Sequence, residues 1–392
     1  MSDDGITMAI GRDWPEVREA LERLCARFDA AYWRRLDAER AYPAEFVRAL
    51  AEGGWLGMLI PEAYGGAGLP LRAAAVALET VHACGGNAAA CHAQMYVMGT
   101  LLRHGSEAQK RRWLPEIAAG RVRLQAFGVT EPESGSDTPA IRTRAERRGD
   151  RWVVHGSKIF TSRAEHSDLM LLLARTTPLE RVARRTEGLS VFLVDLREAR
   201  GRGLEIRPVE TMINHHTTQV FMDGLELPAD ALVGREGEGF RHILDGMNAE
   251  RILIAAECVG DARWFLARAS AYARERRVFG RPIGQNQGIQ FPLARALAAT
   301  EAADLAVRRA CALFDAGAPC GPEANMAKLL AADASWQAGE AAMQTFGGYA
   351  FAREYDIERK WRETRLYRIA PVSENLILAH LGHRVLGLPR SY

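Results

Sequence analysis

The chain lacks any stretch approaching the roughly eighteen uninterrupted apolar residues of a membrane-spanning helix. It also lacks a charge excess: 51 basic and 49 acidic residues leave a net charge of +2, which removes the bulk electrostatic case for nucleic acid or a membrane surface. Cysteine is sparse, six in 392 residues, with no CxxC pair and no regular spacing. That usage fits reduced thiols in a cytosolic compartment. The start, Met1-Ser2-Asp3-Asp4-Gly5, is acidic and without the basic, then apolar, run of a signal peptide, so a cytoplasmic protein is expected. Two histidine pairs, His215-His216 and His380/His383, have no third ligand at useful spacing, and no metal site is expected.

What is present is an ordinary globular composition, 48% hydrophobic and 26% charged, long enough for two or three domains. From Trp14 to about Arg123 the apolar period is helical, with Val17, Leu21 and Leu24 on one face and Gly/Pro breaks at Gly53-Gly54, Pro61 and Gly65-Gly66. Trp55 to Ile60 reads as a helix end or a short buried strand, and Gly65 to Gly68 as a tight turn. Runs at Trp152–Phe160, 169–173, 189–194, 204–209 and 220–227 then predict a small antiparallel β domain. Within the first run, His155-Gly156 suits a two-residue hairpin turn. From Gly239 the helical period returns, including a C-terminal segment over 376–386. The expected division is a helical domain 1–124, a β domain 125–234 and a helical domain 235–392.

Between the first two lies Phe127-Gly-Val-Thr-Glu-Pro-Glu-Ser-Gly-Ser-Asp137, a Gly/Pro-shaped loop of hydroxyls and carboxylates. Such a segment is expected outside the core, offering hydroxyls and backbone N–H groups to a polar ring edge or a phosphate.

Five short motifs follow one another along the chain. They are this loop, Lys158-Ile-Phe-Thr-Ser162, Arg276-Arg-Val-Phe-Gly-Arg-Pro-Ile283, Gln287, and Gln344-Thr-Phe-Gly-Gly348. With Gly54-Trp-Leu-Gly-Met-Leu-Ile-Pro61 and His104-Gly-Ser106 the chain resembles the acyl-CoA dehydrogenase family of flavoproteins over nearly its whole length. The resemblance implies an α+β multidomain fold: an N-terminal helical domain, a middle β domain and a C-terminal four-helix bundle. It implies FAD, a homotetramer with FAD at the dimer interface, an acyl-CoA substrate, and electron-transferring flavoprotein as electron acceptor.

Residue by residue, the resemblance implies that Phe127, Val129, Thr130, Ser136, Phe160, Thr161 and Ser162 bind the cofactor, Thr130 at the flavin's pyrimidine edge. Phe160 and Ser162 replace the family's tryptophan and threonine. Arg276, Phe279, Gln287, Gln344, Gly347 and Gly348 would meet the FAD pyrophosphate and adenosine, with Ser373 and Asn375 completing the cofactor site. Ser136, Asn248 and Arg251 would bind the CoA substrate.

The pattern breaks at the catalytic base. Pro371 stands where most members carry a glutamate, and proline has neither a carboxylate nor the N–H that would donate to the thioester carbonyl. An oxyanion donor of that kind contributes about 3 to 4 kcal/mol elsewhere. Glu250, in Met247-Asn-Ala-Glu-Arg251, matches the position from which isovaleryl-CoA and long-chain members supply their base, and Glu374 is the runner-up. The expected reaction is α,β-dehydrogenation to a trans-2-enoyl-CoA. The alternatives are a flavin-dependent monooxygenase or oxidase of the same fold, or a DNA-associated relative, the last disfavoured by the neutral charge. Moving the base changes the space near the α carbon, which favours a branched or otherwise unusual acyl group.

Overall fold

The computed structural model describes residues 13–390, so the N-terminal Met1–Gly5 lies outside the described residues. The chain forms two compact units.

The first unit comprises Tyr42–Leu69 and Ala89–Met247. Three helices, α3 (Ala44–Glu52), α5 (Ala89–His104) and α6 (Glu107–Ala118), pack with an eight-stranded sheet. Ser106 opens α6 with a capping box, accepting from Gln109 N–H while the Gln109 side chain accepts from Ser106 N–H. The strands are β1 (Leu124–Gly128), β2 (Arg144–Arg148), β3 (Arg151–Ser162), β4 (Leu169–Arg175), β5 (Leu189–Asp195), β6 (Leu204–Pro208), β7 (Thr217–Pro228) and β8 (Leu232–Val233). They run in the order β6-β7-β3-β2-β4-β5-β8, with β1 paired to β4.

The apolar run of β4 follows from its place in the middle of this sheet. Its odd residues Leu169, Leu171 and Leu173 join Val97, Met98 and Leu101 of α5 and Trp113, Leu114 and Ile117 of α6. Its even residues Met170, Leu172 and Ala174 face Trp152, Val154, Phe192, Val220 and Met222 in a second cluster. A strand covered on both faces shows no polar alternation.

Two strand-level expectations change. The sheet is antiparallel in most of its pairings, but β1 lies parallel to β4 and a single β2–β4 bridge is also parallel. The hairpin expected at His155-Gly156 is absent; β3 runs unbroken through it, and the turn falls earlier, at Gly149-Asp150 between Arg148 and Arg151. Gly156 instead marks a register shift against β7. Its φ of 145° lies in a region L side chains rarely adopt, and a Cβ there would stand 2.6 Å from the Thr143 Cα. Trp55–Gly57 is a one-turn helix rather than a strand.

The second unit comprises the described part of Met1–Ala41 with Pro70–Ala88 and Asn248–Tyr392. Its helices are α1 (Pro15–Cys25), α2 (Ala30–Glu39), α4 (Leu71–Ala83), α7 (Gly239–Glu275, from Asn248 onward), α8 (Gln287–Asp315), α9 (Gly321–Phe346), α10 (Ile357–Arg365) and α11 (Glu374–His380). The C-terminal helix expected over 376–386 is α11 followed by a π turn, Leu381–Val385. A two-stranded ribbon, β9 (Arg277–Val278) and β10 (Arg281–Pro282), links α7 to α8. Alanines at 262, 269, 296, 338 and 342 let α7, α8 and α9 approach closely around Phe265 and Phe346. Lys360, fully buried, holds α10 in place through Asp261, Glu363 at 3.1 Å and the Gly86 carbonyl at 3.0 Å.

Candidate functional site

The loop after β1 is fastened rather than loose. Glu131 and Ser134 exchange backbone hydrogen bonds at 3.0 and 3.1 Å, and Ser134 Oγ donates to the Asp137 carbonyl at 2.5 Å. Ile159 N–H donates to the Thr130 carbonyl at 2.9 Å, tying the loop to β3. The fully buried Lys158 ammonium donates to Glu131 Oε1 at 2.8 Å and to the Val129 carbonyl at 3.0 Å. The Glu131 carboxylate also accepts from the N–H groups of Arg142 (2.6 Å) and Thr143 (2.9 Å). The expectation that this segment lies outside the core therefore fails at Glu131 and Ser134, which are buried. Burial alone would raise the Glu131 carboxyl, but Lys158 and the two backbone donors bring it below its usual range. Burial pushes Lys158 the other way, down to about 8, against the pull of Glu131.

This clamp sets the geometry of the residues expected to face a flavin. The β3–β7 register shifts between Lys158 and Thr161, and Phe160 in that bulge takes φ 56°, leaving its ring 61% exposed. Thr161 Oγ1 is buried without a hydrogen-bond partner. Thr130 and Ser162 are half-buried and Ser136 is exposed. Phe127, Val129, Thr130 and the Phe160–Ser162 segment are thus brought together by β1, β3 and the clamp. An outward aromatic face, flanking hydroxyls and an unpaired buried oxygen suit a flat heteroaromatic ring such as a flavin.

Just past Ser162 stands a cluster that sequence reading did not connect to the site. Arg163 N–H donates to the His216 carbonyl at 2.7 Å, and its guanidinium lies 3.3 Å from the His215 ring. His166 stacks on Tyr42 with ring centroids 4.2 Å apart and meets the His216 ring edge-on. Burial, then His216 and the nearby arginines, depress His166 to about 4; burial and Arg163 hold His215 well below its usual range. Both imidazoles are therefore neutral at neutral pH, packed beside arginine.

In the second unit α7 carries Asn248, Glu250 and Arg251. Glu250 is 7% exposed. Arg251 donates to Asn248 Oδ1 at 2.6 Å, and its buried Nε has no partner. Burial lowers the Arg251 guanidinium while Glu250 opposes that shift. At the far end of α7 the Arg276 guanidinium sits 5.5 Å from the Tyr349 ring, beside the Gly347-Gly348 turn that ends α9. A Cβ on either glycine would meet nothing within 4 Å. Gln344 and Gln287 are exposed, and Phe279, at φ 53°, is 99% exposed on the ribbon tip. Forked donors beside glycines with open backbone suit a pyrophosphate.

The segment carrying Pro371 is held from α9. Lys328 donates to the Val372 carbonyl at 2.9 Å, Ser373 caps α11, and Arg368 bridges Asp333 (3.3 Å) and Glu374 (2.7 Å). Asn375 is exposed.

Three family models match in succession: the N-terminal domain of acyl-CoA dehydrogenases over residues 13–121, the middle domain over 126–225 and the C-terminal domain over 237–386. The chain belongs to the acyl-CoA dehydrogenase family. It is 36% identical to the acyl-CoA dehydrogenase FadE12 of Mycobacterium tuberculosis, over 96% of this chain and 98% of that protein. Its fold matches a glutaryl-CoA dehydrogenase in complex with glutaryl-CoA, with TM-score 0.88, 30% identity and 96% of each chain covered. A chain in a structure describing the electron-transferring flavoprotein of Acidaminococcus fermentans matches with TM-score 0.90, 29% identity, and 96% and 98% coverage. As a member of this acyl-CoA dehydrogenase family the protein is an FAD-dependent oxidoreductase acting on acyl-CoA thioesters, and the monooxygenase reading is not favoured. Among the described residues no helix is long and apolar enough to cross a membrane.

Proposed function

We propose that the protein removes the α proton of an acyl-CoA with Glu250 and yields a trans-2-enoyl-CoA, passing electrons to electron-transferring flavoprotein. FAD, when bound, supplies the acceptor for the β hydride. Glu250 takes the proton at its carboxylate, and its burial limits competition from water for that position. Asn248 and Arg251 meet the CoA chain, where the unpartnered Arg251 Nε–H gains an acceptor. Thr130, Phe160 and Ser162 orient the flavin. Arg276, Phe279 and Gln287 receive its pyrophosphate and adenosine from a neighbouring copy in a cytoplasmic homotetramer, and Gln344, Gly347 and Gly348 complete that site.

The carrying observation is a buried carboxylate on α7 in a chain that has proline at the family's usual base position. The test is anaerobic bleaching of the flavin by a panel of straight and branched acyl-CoAs. Wild type bleaches with at least one substrate. Glu250→Gln stays yellow while still binding the thioester, with the reductive rate down roughly a hundredfold or more; wild-type bleaching in this variant would remove Glu250 from the mechanism.

A further inference from the structure

Helices α1 and α4 run parallel and in register. Asp13, just before α1, accepts from Arg72 at 3.4 Å, and Arg18 donates to Glu79 at 3.2 Å, pairs 59 and 61 residues apart. Carried to the C-terminal ends, an offset of this size sets Cys25, the last residue of α1, close to Cys84, the C-cap of α4 (84 − 25 = 59). The two thiols are near enough to act on one another's ionisation. Cys25 is buried and Cys84 exposed, whereas Cys91, Cys258, Cys311 and Cys320 are all buried.

We propose that Cys25 and Cys84 form a peroxide-sensitive dithiol site, with solvent-facing Cys84 as the attacking thiolate and Cys25 as the resolving thiol. Exposure divides the labour between them, since peroxide reaches Cys84 and not the buried Cys25. In the same sense, Cys25 with help from Arg18 lowers the Cys84 thiol against burial and Glu22, while Cys84 and burial raise Cys25.

In the first step the Cys84 sulfur attacks one peroxide oxygen, the O–O bond breaks, and Cys84 becomes a sulfenic acid as hydroxide leaves. In the second, the Cys25 sulfur attacks Cys84, the S–S bond forms, the S–O bond breaks and water departs. Two thiols are oxidised to one disulfide, and one hydrogen peroxide is reduced to two waters. The product ties the N-terminal helix covalently to α4.

The test treats the reduced, flavin-loaded full chain with stoichiometric hydrogen peroxide, blocks free thiols, and maps peptides without reductant. The expected result is one disulfide within the chain, Cys25–Cys84, reversed by dithiothreitol. Cys25→Ala is expected to leave a sulfenic acid on Cys84 that dimedone traps, and Cys84→Ser to form no disulfide. The proposal is overturned if wild type, whose fold is not in question, keeps both thiols free. It is equally overturned if Cys84 advances to sulfinic acid with Cys25 unpaired, or pairs only between chains.

Discussion

Replacing Lys158 by methionine tests whether the loop after β1 is set by a buried charge pair. Methionine keeps most of the stem volume but leaves Glu131 facing an apolar group. Breaking one side of a buried ion pair costs about 3 to 5 kcal/mol. Two features move the expected loss to the bottom of that range or just below it. Glu131 keeps its bonds from Arg142 and Thr143 N–H, and the variant no longer buries an ammonium whose own desolvation drives it down to about 8. We expect Lys158→Met to lose about 2 to 3 kcal/mol in urea unfolding, with unchanged slope. Adding Glu131→Gln, which removes the stranded charge, is expected to restore about 1 kcal/mol.

The pair also has a pH signature. With Lys158 at about 8 in the folded chain against an ordinary 10.5, the folded state binds fewer protons than the unfolded state between those values. Stability therefore rises with pH across that window, by up to about 1.4 kcal/mol per pH unit. Lys158→Met lacks that rise. Flavin retention after ultrafiltration is expected to fall about tenfold, because Thr130 and Phe160 lose their common anchor. A variant within about 0.5 kcal/mol of wild type, with the same alkaline profile and full flavin content, would refute the reasoning.

Gly156→Ala is expected to cost about 2 to 4 kcal/mol in thermal or urea unfolding, since it joins a disfavoured φ to overlap with the Thr143 backbone. Phe160→Gly relieves a left-handed phenylalanine, so the flavin-free protein should gain up to about 1 kcal/mol while the flavin dissociation constant rises; equilibrium dialysis checks the second half. His166, depressed to about 4, leaves the folded state with fewer bound protons than the unfolded state between that value and 6.5, so its contribution is lost as pH falls through this range. His166→Phe, which retains the stack on Tyr42, should therefore shift the acid unfolding midpoint downward.

Legibility followed how local each cause was. The run 169–173 announced a strand, and its lack of polar alternation follows from the cover on both faces of β4. His155-Gly156 misled because a glycine at a bulge and one in a turn look alike until the partner strand is known; Thr143 and β7, far away in sequence, decide between them. The parallel β1–β4 pairing was hidden for the same reason. The Glu131–Lys158 clamp did leave a trace. Along β3, Trp152, Val154 and Lys158 occupy the inward set of an alternating strand, and a lysine there requires a carboxylate from elsewhere. The bulge that turns Phe160 outward left none, because phenylalanine carries no signal for a positive φ.

The base assignment turns on a comparison of two glutamates. Glu374 lies three residues from Pro371, but its Oε2 accepts from Arg368 at 2.7 Å, and Arg368 is itself held by Asp333. To accept an α proton, Glu374 would have to leave a charge-assisted bond. The Val372 carbonyl is fixed in parallel by Lys328, so both ends of the Pro371 segment are anchored to α9. A segment so anchored, with no N–H at Pro371, is built to keep its shape rather than to swing a carboxylate. Glu250 is more buried and stands on a long helix beside Asn248 and Arg251, where its charge acts on the Arg251 guanidinium. If that contrast governs the chemistry, Glu374→Gln retains most of the reductive rate that Glu250→Gln loses, and equal losses in the two variants would undo the assignment.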